Sequence, residues 1–118
     1  MDNKDEYARL NMDFIDTLKK NAIGLASRVG SLALESESIH SQYPSGAYDL
    51  MVSMYLNLKA MILLIDLAIE EGKVEKDETS EYLLIDPNTF IKITECSQMS
   101  IATYDDLTAA YNINLTIH

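Results

Sequence analysis

Residues 48–72, YDLMVSMYLNLKAMILLIDLAIEEG, constrain this chain more than any other segment. The 20 residues from Leu50 to Ile69 are just long enough to span a bilayer, and only Ser53, Asn57, Lys59 and Asp66 among them are polar. On an insertion scale Lys59 and Asp66 cost roughly 5–7 kcal/mol, and their apolar neighbours return about the same. The flank that follows, EEGKVEKDE, lacks the Lys/Arg excess that orients a span. A helical wheel accounts for the polar residues better. Asp49, Ser53 and Asn57 form one stripe, and Lys59, Asp66, Glu70 and Lys73 form a second. Between them Ala60, Met61, Ile62, Leu63, Leu64 and Ile65 are apolar all round. That pattern describes an enclosed helix, expected over 47–71, with residues 60–65 in the core of a multi-helix domain or at a subunit interface.

A second helix is expected over 4–37. Tyr7, Leu10, Phe14, Leu18, Ala22, Leu25, Val29 and Leu32 recur at spacings of three and four, and Asp2, Asp5 and Glu6 suit a positive helix start. Gly24 and Gly30 each cost about 1 kcal/mol in a helix interior and are the places where it would bend. Ala22, Ala26, Gly30 and Ala33 make a stripe of small residues that lets another helix approach closely. Pro44 separates the two helices, Ser45 or Gly46 is placed to cap the next, and Gly72 is placed to end it. The pair would form an antiparallel hairpin of about 35 Å.

The last third changes character. KVEKDETSE reads as a charged loop. Tyr82–Ile85 and Phe90–Thr94 are β-prone runs about an Asp-Pro-Asn turn; the competing reading starts a helix with Asp86 as N-cap and Pro87 as its first residue. Thr103 and Asp106 have capping-box spacing, opening a short helix to about Tyr111. Ile113, Leu115 and Ile117 alternate with polar residues as in a strand. The expected fold is mainly α: a long antiparallel helical hairpin with a small C-terminal mixed α/β element at 82–118, holding two or three short strands and one short helix, all within a single domain over 1–118.

Function is harder to extract. With 19 acidic and 9 basic residues, the chain has a formal charge of −10, which disfavours counterion-releasing contact with nucleic acid and adsorption to anionic lipid. The sole cysteine, Cys96, allows no internal disulfide, and Glu95 beside it raises rather than lowers a thiol pKa. The first residues have no apolar signal-peptide core, so a cytoplasmic location is expected. No nucleophile motif or phosphate loop is present, and no catalytic residue is assigned. Glu37 and His40 have the E-x-x-H spacing of carboxylate metal sites, but a di-iron bundle needs two such motifs and two further glutamates, so neither metal nor cofactor is expected.

From Glu70 to Asp86 there are seven acids against two lysines, and Glu70, Glu71, Glu75, Asp77, Glu78 and Glu81 are the residues assigned to a docking surface for a protein with a basic surface. Met51, Met54 and Met61 with Tyr48 and Tyr55 would line an adaptable groove or, at helical spacing, the core. TYDDLTAAYNINLTIH resembles the opening of a helix-turn-helix, but no basic surface accompanies it and no DNA-reading role is expected. The leading expectation is a non-enzymatic module that masks a partner stoichiometrically, as inhibitors, immunity proteins, secretion chaperones and phage anti-defence proteins do. The alternative is a homodimeric or larger assembly built through 47–71; Arg9, Lys19, Lys20, Arg28 and Lys59 are the helical bases that would hold a phosphate ligand in it. A metal–carboxylate enzyme ranks third.

Overall fold

The computed structural model describes residues 7–36, 45–113 and 115. Along the chain these form strand β1 (Ala8–Asn11), helix α1 (Met12–Ser36), helix α2 (Ser45–Glu71), strands β2 (Lys73–Lys76) and β3 (Glu81–Ile85), and helix α3 (Pro87–Ala109). The expected fold class holds: a mainly α chain whose α1–α2 hairpin carries a small mixed element.

Heptad spacing dictates the packing. On α2, Ala47, Met51, Met54, Leu58, Met61, Ile65 and Ala68 are all buried, at alternating steps of four and three. This is the seam along which helices interlock side by side. On α1 the matching seam is Ile15, Ala22, Val29 and Leu32, with Leu18 and Leu25 half-buried beside it. The two helices run antiparallel, since Lys19 pairs with Asp66 while Tyr55 lies over Gly30. Helix α1 is continuous, so neither Gly24 nor Gly30 breaks it. Its start differs from the expected 4–37. Asn11 accepts from the amides of Asp13 (2.8 Å) and Phe14 (3.3 Å), capping the helix there and freeing Ala8–Asn11 to become a strand.

The sheet has order β1-β3-β2 and is antiparallel throughout. Lys73–Lys76, expected as loop, is one of its two edge strands, and only residues 77–80 remain a turn. Leu83, Leu84 and Ile85 on central β3 are buried. Gly72 ends α2 as expected, but not through a left-handed conformation: no described glycine has positive φ. Lack of space for a side chain is what requires it, because a Cβ there would stand 2.9 Å from the Leu84 carbonyl oxygen.

Helix α3 is the largest departure from expectation. Phe90–Thr94 is helical, not strand, and the 23-residue helix begins with Pro87 in its first turn, as the competing reading had it. Thr103 and Asp106 sit inside this helix and do not open it. The buried face is Ile93, Ser100, Thr103 and Leu107, with Cys96 half-buried. Ser100 and Thr103 enter the core because each hydroxyl donates back to its own helix, to the Cys96 and Met99 carbonyls, at 2.8 Å. Helix α3 runs antiparallel to α2, with Ser97 and Ser100 near Met61 and Leu58, and Tyr111 against Gly46.

Beyond α3, Asn112 takes a positive φ of 54° and the Ile113 amide donates to the Leu107 carbonyl, folding the chain back. Ile113 and Leu115 are buried, as their alternation implied, but neither they nor residues 111–112 form a strand. Ile117, Pro44 and the acids Asp2, Asp5 and Glu6 lie outside the described residues.

Candidate functional site

The Glu70–Asp86 acids do not form one surface. Glu70 and Glu71 are exposed in the last turn of α2, where Glu71 and Asp86 border a hollow with Tyr7, Gly72 and Thr89. Across the hairpin a second hollow is bordered by Asp77 and Glu81, together with Asp13 and Asp16 from α1. Sequence reasoning missed Asp13 and Asp16. The cue was the Asn11 cap, which starts α1 at Met12, beside the β2–β3 turn, instead of eight residues earlier.

Two assigned acids already have partners. The Arg9 guanidinium lies 3.4 Å from Glu75 and stacks 3.8 Å above the Tyr82 ring, a bridge across all three strands. Arg9 is therefore a strand residue, not a helical base. Lys76 pairs with Glu81 at 3.3 Å across the hairpin. Glu78 is exposed in the β2–β3 turn.

Asp77 organises that turn. Its carboxylate accepts from the amides of Thr79 (2.9 Å) and Ser80 (2.8 Å) and from the Thr79 hydroxyl (3.3 Å). The Thr79 amide first, then that of Ser80, hold its pKa below the ordinary 3.8. A lowered carboxylate pKa stabilises the fold fully above the unfolded value and loses that contribution as the pH falls through the folded value. Acid titration by NMR should move the Thr79 and Ser80 amide resonances together, with an apparent pKa below 3.8, while Asp77→Asn abolishes the transition. A midpoint at or above 3.8 would remove Asp77 from its role in the turn.

The apolar segment of α2 is also divided. Met61 and Ile65 are core residues of one chain, Ala60, Ile62 and Leu64 are half-buried, and Leu63 is 66% exposed. Met51, Met54 and Met61 are buried, so these three methionines belong to the core. Met54, Leu58 and Met61 also floor a groove between α1 and α3, walled by Leu18, Leu25, Ile101 and Tyr104. By length and composition α2 is the one described helix apolar enough to cross a membrane, yet here it is the middle helix of three.

Cys96 is half-buried, and burial first, then Glu95, pushes its thiol pKa up. Glu37 and His40 lie outside the described residues, and among the described residues no three His, Cys, Asp or Glu side chains gather as a metal-binding group. No family of proteins, no curated protein and no solved structure matches the chain.

Proposed function

We propose that the protein is a non-enzymatic binding module whose acidic end docks a basic protein surface. The observation that carries this reading is the convergence of Asp13 and Asp16 with Asp77 and Glu81 about one hollow, where Lys76 is the only base among the described residues. Acids from two elements distant in sequence meet there on a scaffold tied together by the Asn11 cap and the Asp77 turn. A preorganised field of one sign speeds encounter with an oppositely charged partner and selects against acidic ones. This reading moves the docking surface from the whole of Glu70–Asp86 to its hairpin end, and adds two residues of α1.

The test uses immobilised wild-type protein and the variant Asp13→Asn/Asp16→Asn/Glu78→Gln, which leaves Asp77 and the Lys76–Glu81 pair intact. A basic protein retained from source-cell extract should elute as salt rises through about 0.1–0.5 M, where the Debye length shrinks well below 10 Å. The variant should retain at least tenfold less of it. Equal retention by wild type and variant would remove the acidic end from the function.

A further inference from the structure

The back of α2 carries a second heptad seam that nothing among the described residues covers. Leu56, Ala60, Leu63 and Leu67 follow one another at steps of four, three and four. The three leucines are 61%, 66% and 42% exposed. The core seam, Met54–Leu58–Met61–Ile65, occupies the opposite face of the same turns. Three large aliphatic side chains on one stripe are the pattern of a helix–helix contact surface.

Charge identifies what covers it. Lys59 and Asp66 flank the same side of the seam, one heptad apart. Both are exposed; Asp66 is held by Lys19 of its own chain, whereas Lys59 makes no ion pair among the described residues. When a second α2 is laid antiparallel on the seam, Leu56 meets Leu67 of the partner subunit and Ala60 meets Leu63 of the partner subunit. A small residue then faces a large one at each central step. In that register Lys59 stands beside Asp66 of the partner subunit, and the two-fold axis repeats the pair. Ser53, next along the seam, stands opposite Glu70 of the partner subunit.

Parallel pairing has no such match. It sets Glu70 against Glu70 of the partner subunit and Asp66 near Glu71 of the partner subunit, so like charges oppose at one end of the seam. We infer that the chain forms a two-fold antiparallel homodimer through Leu56, Ala60, Leu63 and Leu67, with reciprocal Lys59–Asp66 pairs fixing its register. An isologous interface of this kind needs only one self-complementary face. It is separate from the acidic end, so both surfaces are available in the dimer.

The test is sedimentation of the full chain across micromolar concentrations. Wild type should reach twice its 13.3 kDa mass. Leu63→Glu should remain monomeric with unchanged helical circular dichroism. Lys59→Glu and Asp66→Lys should each weaken self-association roughly tenfold or more, since each sets two like-charge pairs at the interface. An equimolar mixture of those two variants should recover the dimer. The acid introduced at position 59 of one chain then meets the base introduced at position 66 of the other, and the remaining pair is the native Lys59–Asp66. The acidic-end variant, Asp13→Asn/Asp16→Asn/Glu78→Gln, should dimerise as wild type does, which separates this result from the docking reading.

A wild-type monomer at 100 µM overturns the inference, as does a dimer that survives Leu63→Glu. Failure of the mixture to pair overturns the antiparallel register. Wild-type protein that stays monomeric in buffer but partitions onto neutral phosphatidylcholine vesicles through Leu63 overturns it in favour of a lipid-facing seam.

Discussion

Ile65→Asn is expected to unfold the protein under conditions where Leu63→Asn, two residues away, leaves it folded. Both lie in the apolar stretch of α2, and the sequence alone treats them alike. Ile65 is 0% exposed, on the seam of the helix that packs against α1, α3 and β3, whereas Leu63 is 66% exposed. Replacing Ile65 leaves a cavity, typically costing about 2–5 kcal/mol, and puts an amide where no partner awaits it, costing about 1–3 kcal/mol more. Against a typical total stability of about 5–15 kcal/mol, that removes most of the folded population's margin. The thermal midpoint should fall by roughly 15–20 °C or the cooperative transition should vanish. Leu63→Asn should change stability by less than about 1 kcal/mol when measured at high dilution, where self-association adds nothing. Urea denaturation followed by circular dichroism gives both values. Equal losses at the two positions would mean that the face carrying Leu63 is packed within the chain.

The contrast between these neighbours also marks how far the sequence could be read. Helix α2 was legible because its seven core positions are apolar and Gly72 closes it. The α1–α2 pairing was legible in part: Ala22, Ala26 and Gly30 allow the close approach seen where Tyr55 covers Gly30. The start of α1 was hidden because Tyr7 and Leu10 continue its three-and-four spacing while belonging to the strand side of the Asn11 cap. Leu10 pairs with Leu83, 73 residues along the chain, a partner that no local pattern announces.

Helix α3 was legible only as the competing reading from Asp86 and Pro87, for a different reason. Its β-branched run, TFIKIT, favours a strand, and its core positions Cys96, Ser100 and Thr103 erase the apolar period that announces a helix. Packing against α2 overrides the propensity, and back-bonding to helix carbonyls removes the cost of burying the hydroxyls. The acidic site was half legible for the same reason as β1. Asp77 and Glu81 stand out in the sequence, but Asp13 and Asp16 join them only once Asn11 fixes where α1 begins.

Gly72→Ala should be strongly destabilising, and Gly30→Ala the control that shows why. At Gly72 a Cβ would stand 2.5 Å from the Ala68 carbonyl oxygen, 2.8 Å from Leu83 Cδ1 and 2.9 Å from the Leu84 carbonyl oxygen. Two of those neighbours are backbone. The Gly72 amide is itself bonded to the Ala68 carbonyl at 2.7 Å, so the corner cannot swing away without breaking the end of α2. The other carbonyl belongs to β3, the central strand, which is held on both sides by β1 and β2. Relief therefore requires moving the sheet against the bundle, and overpacking of that kind costs about 1–3 kcal/mol, with this site at the upper end. At Gly30 the nearest atom to a new Cβ is Tyr55 Cε2 at 3.2 Å, on a half-buried side chain and not on backbone, so relief needs a shift of only a few tenths of an ångström. The helix gains about 1 kcal/mol of propensity when glycine becomes alanine, offsetting that shift. Gly30→Ala should accordingly be neutral within about 0.5 kcal/mol, while Gly72→Ala lowers unfolding free energy by about 2–3 kcal/mol. Paired urea titrations decide the matter, and a neutral Gly72→Ala would show that α2 and β3 do not meet at that corner as closely as their backbones are placed.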